Sequence, residues 1–305
     1  MLTIIQSRWL LAGKSDSTGP LNRYVDALVR GEQALAHTVI ANARKQGIGA
    51  ARIYLEVLAP SQDRIGELWH EGALNIAQEH LATSITMAVM DTLREEMRPR
   101  RLLGARAVVT PVEGDEHVIG ARMVADFLSM DGWEVDFLGK GTPAKDLVEF
   151  VRQRDADIVA LSCTLPEFLP NAREATAALG ELDPAPKVLL GGLAVDPEEL
   201  DVPSLGGDAF GRDARHAVDQ ARSLVGLERP RLSLTDHLAA MGRKINSIRT
   251  ALKMTQQDLA EASGLDRTYI SMVERGRQNL TMGAVVKIAD ALNVPVAELV
   301  STEDG

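Results

Sequence analysis

The sequence predicts a multidomain protein, a four-helix bundle followed by an open, doubly wound α/β domain and an all-α unit, from three changes of pattern along its 305 residues. From Leu21 to about Met97, apolar residues recur at helical spacing with no strand-like alternation. From Leu103 to about Leu227, short apolar runs alternate with helical stretches. From Thr235 to Val300 the pattern is helical again, after the connector Glu228-Arg229-Pro230-Arg231-Leu232-Ser233. The expected boundaries are a flexible leader over 1–19, the bundle over 20–101, the α/β domain over 102–227, a linker over 228–236 and the C-terminal unit over 237–305.

Composition narrows the function. With 45% hydrophobic and 25% charged residues the chain has the make-up of a globular protein. Its first residues lack a basic leader with a small-residue cleavage site, and no run approaches the roughly 20 apolar residues of a membrane span. The expectation is a cytoplasmic protein with no membrane partner. One cysteine, Cys163, leaves no internal disulfide framework and no multi-cysteine zinc site. Metal chemistry therefore falls to His and carboxylates, or to a cofactor that brings its own metal. A net charge of −10 argues against indiscriminate nucleic-acid binding but allows a local DNA-binding face.

In the bundle, Gly31, Gly47, Gly49 and Gly72 punctuate the helices. The third helix is expected to end near Trp69 to Glu71, with Gly72 as its stop. The fourth begins at Asn75, whose side chain can cap it while Gln78 reaches back. Two helices then meet at a tight turn.

In the α/β region the strand-like runs are Ala105 to Thr110, Trp133 to Leu138, Asp157 to Leu161 and Lys187 to Leu190. Their alternation with helices is the order of a flavodoxin-like, Rossmann-type parallel sheet, whose ligands sit at the carboxyl ends of strands. The first such loop reads Asp115-Glu116-His117-Val118-Ile119-Gly120. An Asp two residues before a His can accept a hydrogen bond from one ring nitrogen, fixing the tautomer and making the other nitrogen a better metal donor. Gly120 lets the following helix lie close to a bulky ligand. Alone, such a loop His is more often half of a surface pair. Two further strand ends speak for a site: Ser162-Cys163-Thr164, 41 residues (121–161) after Gly120, and Gly191-Gly192, 26 residues (165–190) after Thr164.

On these motifs and spacings, residues 103–227 resemble the cobalamin-binding domain shared by methionine synthases, base-off mutases, corrinoid methyl carriers and CarH-type photoreceptor repressors. Their signature is Asp-x-His-x-x-Gly, then Ser-x-Leu or Ser-x-Thr, then Gly-Gly. The resemblance implies that His117 is the lower cobalt ligand, displacing the cofactor's nucleotide tail, with Asp115 as its partner. It implies that Ser162 and Thr164 contact the buried tail and that Gly191 and Gly192 leave space for it. Thr164 stands where many members have Leu.

Upstream, Trp69 is separated by nine residues (70–78) from Glu79-His80. The turn at Gly72 to Asn75 folds one helix back on the next, so an indole and two polar groups can line one cavity. Without a ligand domain next door, Trp69 would read as core and Glu79 and His80 as a solvated face. The spacing resembles the upper-face motif of the CarH-type photoreceptors. That implies adenosylcobalamin as cofactor, with Trp69 covering the adenosyl group and Glu79 and His80 hydrogen-bonding it. By the same resemblance, His70 is a candidate upper cobalt ligand once the adenosyl group has gone.

At the C-terminus, Thr255 to Gly264 reads as a capped helix with a Gly turn, and Leu265 to Arg275 as a second helix ending at Gly276, a helix-turn-helix. The stretch from about Gly242 to Leu299 resembles the Cro/C1-like, xenobiotic-response-element class, with its Thr-Gln-x-x-Leu-Ala start and Ile-Ser-x-Val-Glu-Arg-Gly close. In that class the second helix enters the major groove by its N-terminal end. Arg267, Thr268 and Ser271 are then candidate base readers, and Gln256, Arg275, Arg277 and Asn279 phosphate contacts. The implied partners are double-stranded operator DNA and further copies of this chain, as a dimer or tetramer.

Together the resemblances imply a light-responsive transcriptional regulator, not an enzyme. Two alternatives stand beside it: a corrinoid methyl carrier, and a light-independent sensor of cobalamin level. The helix-turn-helix and the Trp-x9-Glu-His motif argue against the carrier.

Overall fold

The computed structural model describes residues 19–96, 102–198, 200–227 and 233–300. They fall into two compact units, divided at residue 228. The leader expected over 1–19 lies outside the described residues except for Gly19, which precedes the first helix.

The bundle contains four helices, as its spacing predicts. Helix α1 is Pro20–Arg30 and α2 is Gln33–Lys45, with Gly31 between them in the left-handed conformation that ends α1. The third helix, α3, starts as Ala50–Ile53, passes through a π-helical turn at Tyr54–Leu58 and continues as Ala59–His70. Gly72 (φ 74°) stops it. Helix α4 is Ile76–Glu96. Its cap is reciprocal: Gln78 N–H donates to Asn75 Oδ1 and Asn75 N–H to Gln78 Oε1, both at 3.0 Å. The expected box therefore forms and holds the tight turn between α3 and α4.

The α/β domain runs β1 (Arg106–Pro111), α5 (Val118–Asp131), β2 (Glu134–Phe137), α6 (Ala144–Arg154), β3 (Ile158–Ser162), α7 (Leu169–Gly180), β4 (Lys187–Gly191), β5 (Ala209–Gly211) and α8 (Ala214–Leu224). All pairings are parallel, in the order β2-β1-β3-β4-β5. The fifth strand, three residues long, had no apolar run to announce it. The central strands are buried on both faces. Ala107, Val109, Ile158, Ala160 and Leu189 point to one core, and Val108, Val159, Leu161, Val188 and Leu190 to the other. This two-sided burial explains why their sequences are continuous apolar runs. The edge strands β2 and β5 are short, and β2 carries charge: Glu134 pairs with Arg106, and Asp136 with Arg154.

One core is continuous from the bundle into the sheet. Tyr24, Leu28, Ile53, Leu58, Ile85 and Met90 of the bundle belong to the same buried cluster as Leu128 of α5 and Val218 of α8. The bundle and the α/β domain, separate in the sequence pattern, are thus one compact unit.

The second unit is all-helical: α9 (Leu234–Ala251), α10 (Gln256–Ser263), α11 (Arg267–Glu274), α12 (Met282–Leu292) and α13 (Val296–Val300). Helix α9 starts earlier than the linker expected over 228–236 allows, because Ser233 and Asp236 form a capping box. Thr255 and Asp258 cap α10 in the same way, and Gly264 (φ 63°) turns the chain into α11. The core is Ile245, Leu259, Ile270, Val273, Ile288 and Leu299.

One buried carboxylate ties this unit together. Glu274 accepts from Arg249 Nε (2.6 Å), Asn246 Nδ2 (2.8 Å) and Gln256 Nε2 (2.8 Å), joining α9, α10 and α11. Burial pushes its carboxyl up, but the hydrogen bonds from Arg249, Gln256 and Asn246 outweigh that and hold it below the usual glutamate range. We expect Glu274→Ala to lower the stability of this unit by about 3–5 kcal/mol, because it strands a buried guanidinium. A lowered carboxyl stabilises the fold above its unfolded pKa and ceases to do so as pH falls through its folded one, so this unit of the wild type should melt earlier in acid. Denaturation of the full chain at neutral and acid pH, followed by a probe in residues 233–300, checks both.

Candidate functional site

The carboxyl ends of three strands bring the motif loops together. Across them, Pro111 pairs with Ser162, Ser162 with Gly191, and Gly191 with Gly211, so residues from β1, β3, β4 and β5 form one row. Ser162 and Gly191 are strand ends and not loop residues. Gly211 completes the row and was not picked out from the sequence.

Asp115 is the organising side chain. It is 1% exposed, and each of its carboxylate oxygens is engaged. Oδ1 accepts from the His117 backbone N–H at 3.0 Å and lies 2.7 Å from His117 Nδ1. Oδ2 accepts from the Thr164 backbone N–H at 2.6 Å. Burial alone would raise the Asp115 carboxyl, yet the hydrogen bonds from His117 and Thr164 hold it below the usual aspartate range. It is therefore a carboxylate, and Nδ1 carries the proton between them. The Asp115 hydrogen bond lifts His117 above the ordinary imidazole range against the opposing effect of burial, helped by the carboxylates of Asp115, Glu79 and Glu116.

His117 precedes α5 as its N-cap residue, and its side chain is half exposed. With Nδ1 tied to Asp115, Nε2 is the nitrogen left to donate to a metal, with the enhanced basicity a carboxylate partner confers. Among the described residues no three His, Cys, Asp or Glu side chains converge to hold a metal ion. A metal held at Nε2 would therefore need ligands supplied by a cofactor rather than by neighbouring His, Cys, Asp or Glu side chains.

The surroundings fit such a group. A Cβ built on Gly120 would stand 3.8 Å from Ser162 Oγ, so these residues face one another across the mouth beside His117. Gly192 (φ 98°) has a reason the resemblance did not supply: its Cβ would lie 2.2 Å from the Cys163 carbonyl oxygen. Gly191 is likewise close-packed, its Cβ 3.0 Å from the Gly211 carbonyl oxygen. The two glycines let β3, β4 and β5 end side by side, where they were expected to leave room for a ligand. Thr164 binds Asp115 through its backbone, which the motif did not reveal. Cys163 is buried, and burial pushes its thiol up to about 12. It is no nucleophile at neutral pH.

From the bundle, Glu79 is close enough to His117 for its carboxylate to act on the imidazole. Glu79 Oε1 accepts from Thr83 Oγ1 (3.0 Å), and Thr86 Oγ1 accepts from Gln62 Nε2 (2.8 Å) and lies 3.1 Å from Tyr24 Oη. Thr83, Gln62 and Thr86 are support that no motif announced. Trp69 is 39% exposed, large for an indole, and its ring lies 4.7 Å from that of His70. His80 is exposed and 3.7 Å from Glu79. Trp69, Glu79 and His80 therefore share the turn end of α3 and α4.

In the second unit, Arg267 and Thr268 are exposed at the N-terminal end of α11, and Ser271 is half-buried one turn on. Arg275, Arg277 and Asn279 are exposed in the segment after α11. Gln256, expected as a phosphate contact, donates one N–H of its amide to Glu274 and keeps the other. Asn246 and Arg249, unmarked by any motif, serve the same carboxylate.

Comparison with known proteins agrees with this geometry. Residues 105–220 match the B12 binding domain family, residues 20–94 match a second B12 binding domain family, and residues 245–299 match a helix-turn-helix family. The dimethylamine corrinoid protein 1 of Methanosarcina acetivorans is 29% identical over 172 residues, 55% of this chain and 80% of that protein. The trimethylamine corrinoid protein 1 of the same organism is 26% identical over 206 residues, 66% of this chain and 94% of that protein. The solved monomethylamine corrinoid protein of Methanosarcina barkeri shares the fold, with a TM-score of 0.61 and 20% identity over 68% of this chain and all of that one. Cobalamin-binding domains, helical and α/β, are thus followed in one chain by a helix-turn-helix domain, an architecture consistent with a cobalamin-binding regulator.

The cradle is testable by itself. Gly192→Ala should cost about 1–3 kcal/mol of stability, from a strained positive φ and the collision with Cys163. Gly120→Ala, with nothing nearer than 3.8 Å, should leave melting unchanged. Equal melting of the two variants would contradict this account of the strand ends.

Proposed function

We propose that this protein is a light-responsive transcriptional regulator. It holds adenosylcobalamin between the helical bundle and the α/β sheet, and its self-association and operator binding change when the upper group is lost. The observation that carries the reading is the Asp115–His117 pair at a sheet's carboxyl edge, with Glu79 of the cap acting on the same imidazole, in a chain that also has a helix-turn-helix.

When bound, adenosylcobalamin supplies a cobalt–carbon bond that light cleaves. The chain's own residues do the rest. His117 would hold the metal through Nε2, while Asp115 keeps the proton on Nδ1. Ser162, Thr164 and the Gly191-Gly192 turn border the nucleotide tail, and Gly120 keeps the mouth open. Trp69 covers the upper face and excludes water, with Glu79 and His80 as hydrogen-bond partners for the adenosyl group. His70, its ring 4.7 Å from that of Trp69 and tilted to it, would be a second side chain available to hold the metal. Arg267, Thr268 and Ser271 read bases, while Arg275, Arg277 and Asn279 hold phosphates. Copies pair as dimers or tetramers to present two or more such helices to one operator. The corrinoid relatives support the cobalamin half of this reading, and the helix-turn-helix favours regulation over a carrier role.

Full-length protein reconstituted in the dark with adenosylcobalamin should show a changed absorption spectrum, a changed oligomer mass and a changed affinity for selected duplex DNA after green light. DNA binding that follows cobalamin but ignores light would replace this reading with a cobalamin-level sensor. Methyl transfer without DNA binding would replace it with a corrinoid carrier. His117→Ala should keep the fold and lose at least about tenfold in corrinoid retention by equilibrium dialysis. Unchanged retention and spectrum would remove His117 from the metal.

A further inference from the structure

The two cap helices and the helix capped by His117 meet a second time in a polar cluster that is buried except at Asp91, whose side chain is 56% exposed. Tyr54 Oη of α3 donates to Asp126 Oδ2 of α5 at 2.8 Å. Arg122 Nε of α5 lies 3.0 Å from both Asp126 oxygens, and its Nη2 donates to Asp91 Oδ1 of α4 at 2.7 Å. The Tyr54 ring stands edge-on to Phe127 of α5, centroids 5.7 Å apart. Tyr54, Arg122 and Asp126 are buried. Tyr54 also opens the π-helical turn of α3, an irregularity that concentrates at functional contacts.

The spacing along the helices gives the cluster a mechanical meaning. Trp69 is 15 residues beyond Tyr54 on α3, and Glu79 is 12 residues before Asp91 on α4. At 1.5 Å per residue, both are roughly 20 Å from the cluster, at the turn end of the same antiparallel pair. On α5, Arg122 is only five residues from His117. The cluster therefore fastens both arms of the cap to the helix that follows the metal ligand, while toward the turn the arms are tied to each other, through Gln62, Thr83 and Thr86.

We propose that Tyr54, Asp91, Arg122 and Asp126 are the pivot of the cap. They set the height of the Trp69 turn over His117, and with it the preference of the site for a corrinoid carrying a bulky upper group. These are positioning residues, and the proposal rests on the cobalamin reading above. A corrinoid with a small upper ligand does not reach the turn and should be indifferent to the pivot.

Tyr54→Phe and Asp91→Ala each remove one strut of the cluster and leave the Arg122–Asp126 pair intact. In full-length protein in the dark, each should weaken adenosylcobalamin binding about tenfold, the scale of one hydrogen bond to a charged group, and leave hydroxocobalamin binding within about threefold. Amide exchange at residues 71–75 of the adenosylcobalamin-loaded variants should quicken. Equal weakening for both corrinoids, or no change in either, overturns the pivot. If the wild type binds neither corrinoid, the pivot falls together with the cobalamin reading; if it binds both and the variants match it, the pivot falls alone.

Discussion

The contact between Asp115 and His117 is the constraint on which the rest depends. A carboxylate buried to 1% survives only because three donors satisfy it, and each comes from the strand-end loops. That requirement fixes the imidazole's tautomer, turns its free nitrogen outward and locks the first loop to the third strand through Thr164. The same bond that prepares a metal ligand is therefore a structural joint. Basicity at Nε2 and rigidity of the loop come from one oxygen pair.

Around that joint, burial decides the architecture. The bundle shares its core with α5, α8 and one face of the sheet, so the cap is an extension of the α/β layer and not a separate body. Its polar interior follows a different logic from its apolar one. Thr83, Gln62, Thr86 and Tyr24 form a line of hydroxyl and amide groups behind Glu79, which holds a carboxylate ready beside His117. The helix-turn-helix unit uses the same device independently, with Glu274 of α11 satisfied by donors from two other helices.

What the sequence made legible were features with local signatures. The Asn75–Gln78 and Thr255–Asp258 boxes, the stops at Gly72 and Gly264, the four apolar strands and the Asp115–His117 pair all depend on residues within a few positions of one another. What it hid depends on distance in the chain or on brevity. Strand β5 has three residues and two of its neighbours' bonds to define it. Glu274 looks like part of a surface Val-Glu-Arg-Gly run until Arg249 and Gln256 arrive from other helices, a second task for Gln256 that the motif did not announce. Gly191 and Gly192 announced a ligand's proximity, whereas their immediate cause is the convergence of backbones at Cys163 and Gly211. The start of α9 was placed late because the Ser233–Asp236 box lies inside what composition marked as connector.

The sheet's two borders carry a last implication. One is four residues long and lined with paired charges, the other three residues long. Too few backbone groups are on offer for a neighbouring copy to zip on and continue the ladder, a built-in barrier to fibre-like growth. Assembly by strand addition at this sheet is therefore disfavoured, which leaves its edges free of the register that a shared ladder would impose.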